Sequence, residues 1–249
     1  MAEEIITEDK EKMLSDMMKA GLQYGHSRTR NNPKAGYYTI KTFKGVSFID
    51  LEETIKGLEK ALAYIKDTIA SGKTIFFVGT RAGAKQGLKN LAEKYELPYS
   101  NERWLGGTLT NLKTLKKRIE YLQELEKDKK SDAWDKYTKK EKHDKEQELS
   151  QLERKFAGIK SVTSLPEVLF VIDPGLHQTA LREARRLDIP VIAILDTDDN
   201  PEEIQHPIPA NDSAKSAIDY ILSKVDLAIA QGRKLVKEDT TKEKTKSEN

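Results

Sequence analysis

The sequence predicts an α/β fold: a mostly parallel, doubly wound sheet carrying an inserted antiparallel helical coiled-coil hairpin. Three observations carry that reading. The runs Thr74 to Gly79, Val168 to Ile172 and Val191 to Leu195 are apolar at nearly every position, the mark of strands buried on both faces. Helix-period segments alternate with these runs, as helical crossovers between parallel strands require. Between the first and second runs lies a block, Lys113 to Phe156, with 14 basic and 11 acidic residues and no strand pattern.

Taken in order, Tyr37 to Ile40 and Val46 to Ile49 read as two short strands joined across Lys44-Gly45. A helix follows, because Leu51, Ile55, Leu58, Leu62, Ile65 and Ile69 recur at spacings of four and three behind Asp50, a capping residue. Gly72 ends it and the first apolar strand begins. Thr80 to Tyr95 is helical in composition, and Leu97-Pro98-Tyr99 turns into another short strand. Leu105, Leu109, Leu112, Ile119 and Leu122 form a narrow apolar seam that Leu149, Leu152, Phe156 and Ile159 resume beyond the charged segment Lys127 to Lys142. Two seams around a charged turn describe a projecting hairpin; a single long solvated helix or an unfolded linker is the alternative.

The later half repeats the strand and helix pattern, with a helix from His177 to Leu187 between two apolar strands. Pro201, Pro207 and Pro209 mark a clamped loop, and Ala214 to Ile229 forms a last helix. Residues 1–104 and 160–232 thus make an α/β core, 105–159 the hairpin, and 233–249, almost without apolar residues, a disordered tail.

Composition narrows the function classes. The chain has 249 residues and a net charge of +2 from 43 basic and 41 acidic residues, a balance silent about segregated patches. No stretch approaches the roughly 20 apolar residues of a membrane span, and the acidic start Met1 to Glu11 lacks an apolar signal core. The absence of cysteine removes disulfides, thiolate metal sites and cysteine nucleophiles, and suits a reducing cytoplasm.

In an open parallel sheet, ligands bind at the carboxyl ends of the strands. Those ends carry Gly79-Thr80-Arg81-Ala82-Gly83, Asp173-Pro174-Gly175 and Asp196-Thr197-Asp198-Asp199. The first lacks both the P-loop ending and the dinucleotide-binding spacing, and no serine, histidine and aspartate fall into a catalytic motif. A free enzyme using this crevice for a nucleotide or sugar is the alternative reading. Asp196, Asp212 and His26 offer mixed oxygen and nitrogen ligands for a structural divalent ion such as zinc or magnesium. No cofactor is required.

The stronger signal is basic residues interleaved with amides and aromatics. His26, Arg28, Arg30, Asn32 and Lys34 lie in a segment poor for helix or strand, offering cations for phosphates and amides for sugar or base edges. Arg103 and Trp104 set a planar cation beside a ring able to stack on a base or to pack inside, and Lys113, Lys116 and Lys117 open the hairpin on nearly one face.

Several of these segments together resemble bacterial small-subunit ribosomal protein S-two: Gly21 to His26, Asn32-Pro33-Lys34, Phe77 to Arg81 and, most specifically, Arg103-Trp104-Leu105-Gly106-Gly107-Thr108-Leu109-Thr110-Asn111. Gly158-Ile159-Lys160, Leu165-Pro166-Glu167, Ile189-Pro190-Val191, Asp196-Thr197 and Ile208 to Asp212 continue the resemblance in family order, from about Met18 to Leu227. It implies a flavodoxin- or Rossmann-like domain with an inserted coiled-coil hairpin and no catalysis. It also implies a cytoplasmic, ribosome-bound protein that binds small-subunit ribosomal RNA and neighbouring ribosomal proteins and helps dock ribosomal protein S-one. The hairpin is similar to bacterial and organellar members. Gln23, Asn31, Asp198 and Ala210 depart from the family pattern; the extra charge at Asp198 and the missing aromatic at Asn31 bear on contacts made by those loops.

Overall fold

The structure, a computed structural model, describes residues 2–131, 134, 137–160 and 164–247, with side chains described between residues 10 and 236. A first helix, α1 (Ala2–Ala20), precedes a three-stranded antiparallel sheet of β1 (Tyr24–Ser27), β2 (Thr39–Phe43) and β3 (Val46–Ile49), in the order β1-β3-β2. The turn between β2 and β3 is the expected hairpin: Phe43 faces Val46, and Lys44 and Gly45 both take positive φ, 48° and 82°. Two successive left-handed residues match the twist of the flanking strands, which is why glycine occupies the second. The first strand begins at Thr39 rather than Tyr37, because Asn32 and Pro33 start a 3-10 turn over Pro33–Tyr38, with the Asn32 side chain accepting from Lys34 N–H.

α2 (Leu51–Ala70) is capped by Asp50, whose carboxylate accepts from Glu52 N–H, and carries Glu52 and Glu53 where the helix dipole favours negative charge. Next come β4 (Ile75–Val78), α3 (Ala82–Lys94), β5 (Tyr99–Ser100), the hairpin helices α4 (Leu112–Lys129) and α5 (Lys139–Phe156), β6 (Val168–Ile172), α6 (Gln178–Arg186), β7 (Val191–Leu195), β8 (His206–Pro209) and α7 (Lys215–Ser247). The five later strands pair in parallel in the order β5-β4-β6-β7-β8. That is the flavodoxin-like order, 2-1-3-4-5 when these strands are counted along the chain.

Strand alternation splits the core into two layers. Ile75, Phe77, Phe170, Ile192, Ile194 and Ile208 point toward α1, α2, α3 and α7. Phe76, Val78, Leu169, Val171, Ala193 and Leu195 point the other way, toward α6, Trp104 and the hairpin. The hairpin seam, Leu115, Ile119, Leu122, Leu125, Leu149 and Phe156, is buried in that same second layer, so the insertion grows out of the sheet's own core. Its second helix opens on a capping box, Thr138 with Glu141.

Four expectations need correction. Leu105 and Leu109 precede the hairpin, whose first helix starts at Leu112 behind the Asn111 cap; part of its charged turn, residues 132, 133, 135 and 136, lies outside the described residues. The proline-marked loop contains an edge strand: Pro207 and Pro209 pair opposite Ala193 and Leu195, tolerated because an edge strand needs no second row of N–H donors. The last helix runs through residue 247, beyond the boundary at 232, since the polar end contains no glycine or proline after Gly232 to break it; residues 248–249 lie outside the description. The helix α1 was absent from the sequence reading because its charged first half hides the periodicity that Met17 completes.

Candidate functional site

The strand order reverses at β4, so the connections leaving β4 and β6 diverge and open a crevice at their carboxyl ends. Side chains of the protein itself fill it. Arg81, one turn past β4, forms a short ion pair through Nε with Asp173, donates from Nη1 to Ser213 Oγ at 2.8 Å, and lies 3.7 Å from Asp212. Asp173 follows β6, Asp196, Asp198 and Asp199 follow β7, and Asp212 follows β8. Asp173, Asp196, Asp199 and Asp212 are all buried, and among the described residues Arg81 and His26 bring positive charge to them.

His26 reaches the crevice from β1. Its Nδ1 lies 2.9 Å from Asp196 Oδ2 and 3.3 Å from Asp198 Oδ1, and its backbone N–H donates to Thr197 Oγ1 at 3.0 Å. The hydrogen bond to Asp196, with Asp198 and Asp212 adding, outweighs burial and pushes the imidazole up to about 9. This approach requires glycine beside it: a Cβ on Gly25 would sit 2.7 Å from the Thr197 methyl. Asn32 closes the same seam, donating its N–H to Thr197 O at 2.8 Å. Asp198 thus faces His26, and Asn31 donates to buried Ser47 at 2.6 Å, tying its loop down.

Burial, with Asp173 and Asp196 nearby, pushes Asp212 up to about 8; burial and Asp173 push Asp199 up to about 7. Asp212 Oδ2 is buried without a hydrogen-bond partner. Ligand-capable atoms converge in two groups, His26 with Asp196 and Asp198, and Asp173 with Asp199 and Asp212, each set lying within 4.8 Å. The expected trio of His26, Asp196 and Asp212 is therefore divided, because Asp212 is drawn toward Arg81 while Asp198 takes its place beside His26. Arg81 and His26 are already paired with Asp173 and Asp196, which argues against a nucleotide phosphate in the crevice.

The cation-bearing residues lie elsewhere. Arg28 and Arg30 stand exposed on the 3-10 turn Arg28–Arg30, and Arg103, Lys113 and Lys117 are exposed at the entry to the hairpin, none with a carboxylate partner among the described residues. Lys113, Lys116 and Lys117 share one face of the first turns of α4. Lys34 is committed to a short ion pair with Glu202, a tie between two turns rather than a spare charge.

Trp104 is not a stacking platform. It is 8% exposed, packs edge-on against Phe76 and donates Nε1–H to Glu183 Oε1 at 3.0 Å. Glu183 on α6 also accepts from Gly107 N–H, Leu109 N–H, Thr110 N–H and the Thr110 hydroxyl, at 2.8 to 3.2 Å. Burial opposes its ionisation, but these donors outweigh it and hold the carboxyl below its usual range. Sequence reading passed over Glu183 because a lone glutamate among arginines on a helix looks like surface charge. Arg81, Asp173 and Asp199 were visible as strand-end residues without any sign of their mutual pairing.

Among the described residues no helix is long and apolar enough to cross a membrane. The strand-end crevice is occupied by the protein's own side chains, the inserted hairpin is continuous with the core, and exposed cations lie around its entry. The family model for ribosomal protein S2 matches residues 17–232, covering the sheet, the crevice and the whole hairpin, and the chain belongs to that family.

Proposed function

We propose that this chain binds small-subunit ribosomal RNA through cations presented by its rigid sheet and hairpin, and so supports translation as a structural constituent of the small ribosomal subunit. The observation that carries this reading is the set Arg28, Arg30, Arg103, Lys113 and Lys117: exposed, without carboxylate partners among the described residues, and carried by the Arg28–Arg30 turn, the loop before the hairpin and the start of α4. Such cations displace counterions from phosphates, and fixed positions let RNA shape rather than sequence decide the fit. His26 and Asn32 serve by holding the Arg28–Arg30 turn against the Asp196-Thr197 loop. Neighbouring ribosomal proteins, ribosomal protein S-one among them, are the expected protein partners, and no small-molecule substrate is.

The divided acid cluster supports a structural divalent ion as a further part of the same proposal. Nitrogen with two carboxylates suits zinc, whereas Asp173, Asp199 and Asp212 offer the all-oxygen surroundings magnesium prefers. The orphaned Asp212 Oδ2 fits such an ion. Metal analysis of the purified protein after mild dialysis, alongside Asp196→Ala, tests it: metal retained by the parent and lost by the variant supports the site, and no metal in either overturns it.

The assembly role is tested by sedimenting an extract at moderate and high salt and detecting the chain across the gradient. Comigration with small subunits is expected. A wholly free pool overturns the proposal.

A further inference from the structure

The segment Trp104 to Thr110 has the form of an anion cradle. Three backbone N–H groups, a hydroxyl and an indole N–H converge on one point, the arrangement that elsewhere holds a phosphate. Here the point is taken by the protein's own carboxylate, Glu183, 8% exposed at the centre of α6. All five donors are directed at its two oxygens, so the cradle has no capacity left for RNA phosphate. What the carboxylate fixes is the path of the chain on either side. Arg103 stands immediately before the first donor, and Asn111, which caps α4 and so starts the turn that carries Lys113, immediately after the last.

We propose that Glu183 is a positioning residue for RNA binding: an internal anion that folds the Trp104–Thr110 loop and thereby sets where Arg103 and the first turn of α4 present their cations. The inference rests on the reading that Arg103 and Lys113 contact ribosomal RNA. Charge is essential to it. A glutamine keeps the shape but turns one acceptor oxygen into an NH2 donor facing donors, and at least two of the five lose their partner. The loop then opens, and the cations on both sides lose their fixed spacing.

The test is filter binding of the full chain to transcribed small-subunit ribosomal RNA over a salt series, comparing the parent, Glu183→Gln, the double variant Arg103→Ala with Lys113→Ala, and the triple combination. Each lost phosphate contact lowers the slope of log K against log salt by roughly 0.7 to 0.9. The double variant is expected to lose about two such contacts and Glu183→Gln one or two. Adding Glu183→Gln to the double variant is expected to change the slope no further. A residue with only a structural role weakens binding equally in both backgrounds, and that outcome overturns the inference. A double variant with the parent's slope overturns instead the underlying reading of Arg103 and Lys113. Should Glu183→Gln fail to fold, Thr110→Val, which removes a single donor, replaces it in the same comparison. Its effect on slope must again vanish in the double-variant background, and persistence there overturns the proposal.

Discussion

Asp212→Asn isolates the electrostatic cost of the crevice. Asp212 is completely buried, with Arg81 3.7 Å away and one oxygen unpartnered, and its carboxyl is pushed from 3.8 to about 8, by burial first and by Asp173 and Asp196 next. Below the lower value both folded and unfolded chains carry the proton, and the site costs nothing. Between the two values the folded chain keeps the proton and the unfolded chain has released it, so stability falls as pH rises, by about 1.4 kcal/mol per unit. From about pH 5 to about pH 8 that amounts to at most about 4 kcal/mol, a large share of a typical folding free energy. Asparagine has no proton to hold and nearly the same shape. Relative to the parent, the variant is expected to gain about 2 to 4 kcal/mol between those two pH values, read as urea midpoints with chelator present. Equal differences at both ends, or a variant that loses ground as pH rises, would refute the reasoning. If a divalent ion does bind the crevice, adding it without chelator should favour the parent and erase the variant's advantage.

Four further outcomes are expected. Gly25→Ala drives a Cβ into Thr197 at 2.7 Å, so β1 backs away from the crevice; His26 should then titrate well below about 9 by nuclear magnetic resonance, and an unmoved titration would contradict the close approach. In the parent, the His26 ion pairs contribute stability that is complete below 6.5 and is lost as pH rises through about 9, a decline His26→Ala should abolish in denaturant midpoints measured across that window. Leu122→Ala leaves a void at a fully buried position of the hairpin seam and should cost about 2 to 5 kcal/mol in urea denaturation; a cost below about 1 would mean that the seam is not part of the core. Arg28→Ala with Arg30→Ala should leave the unfolding midpoint unchanged while reducing recovery of the chain with small subunits at high salt, and unchanged recovery would remove this turn from the RNA contacts.

What was legible in the sequence is what local chemistry dictates. Val168–Ile172 and Val191–Leu195 fall where continuous apolar runs place them, because a strand buried on both faces leaves no room for polar residues. The α2 boundaries follow from Asp50 and Gly72, which act within one turn of themselves. The edge strand β8 was hidden because prolines signal loops locally, whereas its pairing is decided by β7, more than ten residues away in the chain. The partition of the acid cluster and the partners of Glu183 were likewise out of reach: they depend on which loops the strand order brings together, and no spacing along the chain encodes that. For Trp104 the sequence leaves both core packing and base stacking open, with packing at least as well supported, and the acceptor on α6 settles it.

The seam between His26 and Thr197 also sets a timetable. Its two ends are 171 residues apart in the chain, so during synthesis at about 5 to 20 residues per second the first must wait roughly 10 to 30 seconds for the second to be made. Over that interval Met17 and Leu22, both completely buried in the finished protein, lack α7, the helix against which α1 packs. Vectorial folding thus ends where the chain began, and its N-terminal portion is the part most in need of protection while the protein is being born.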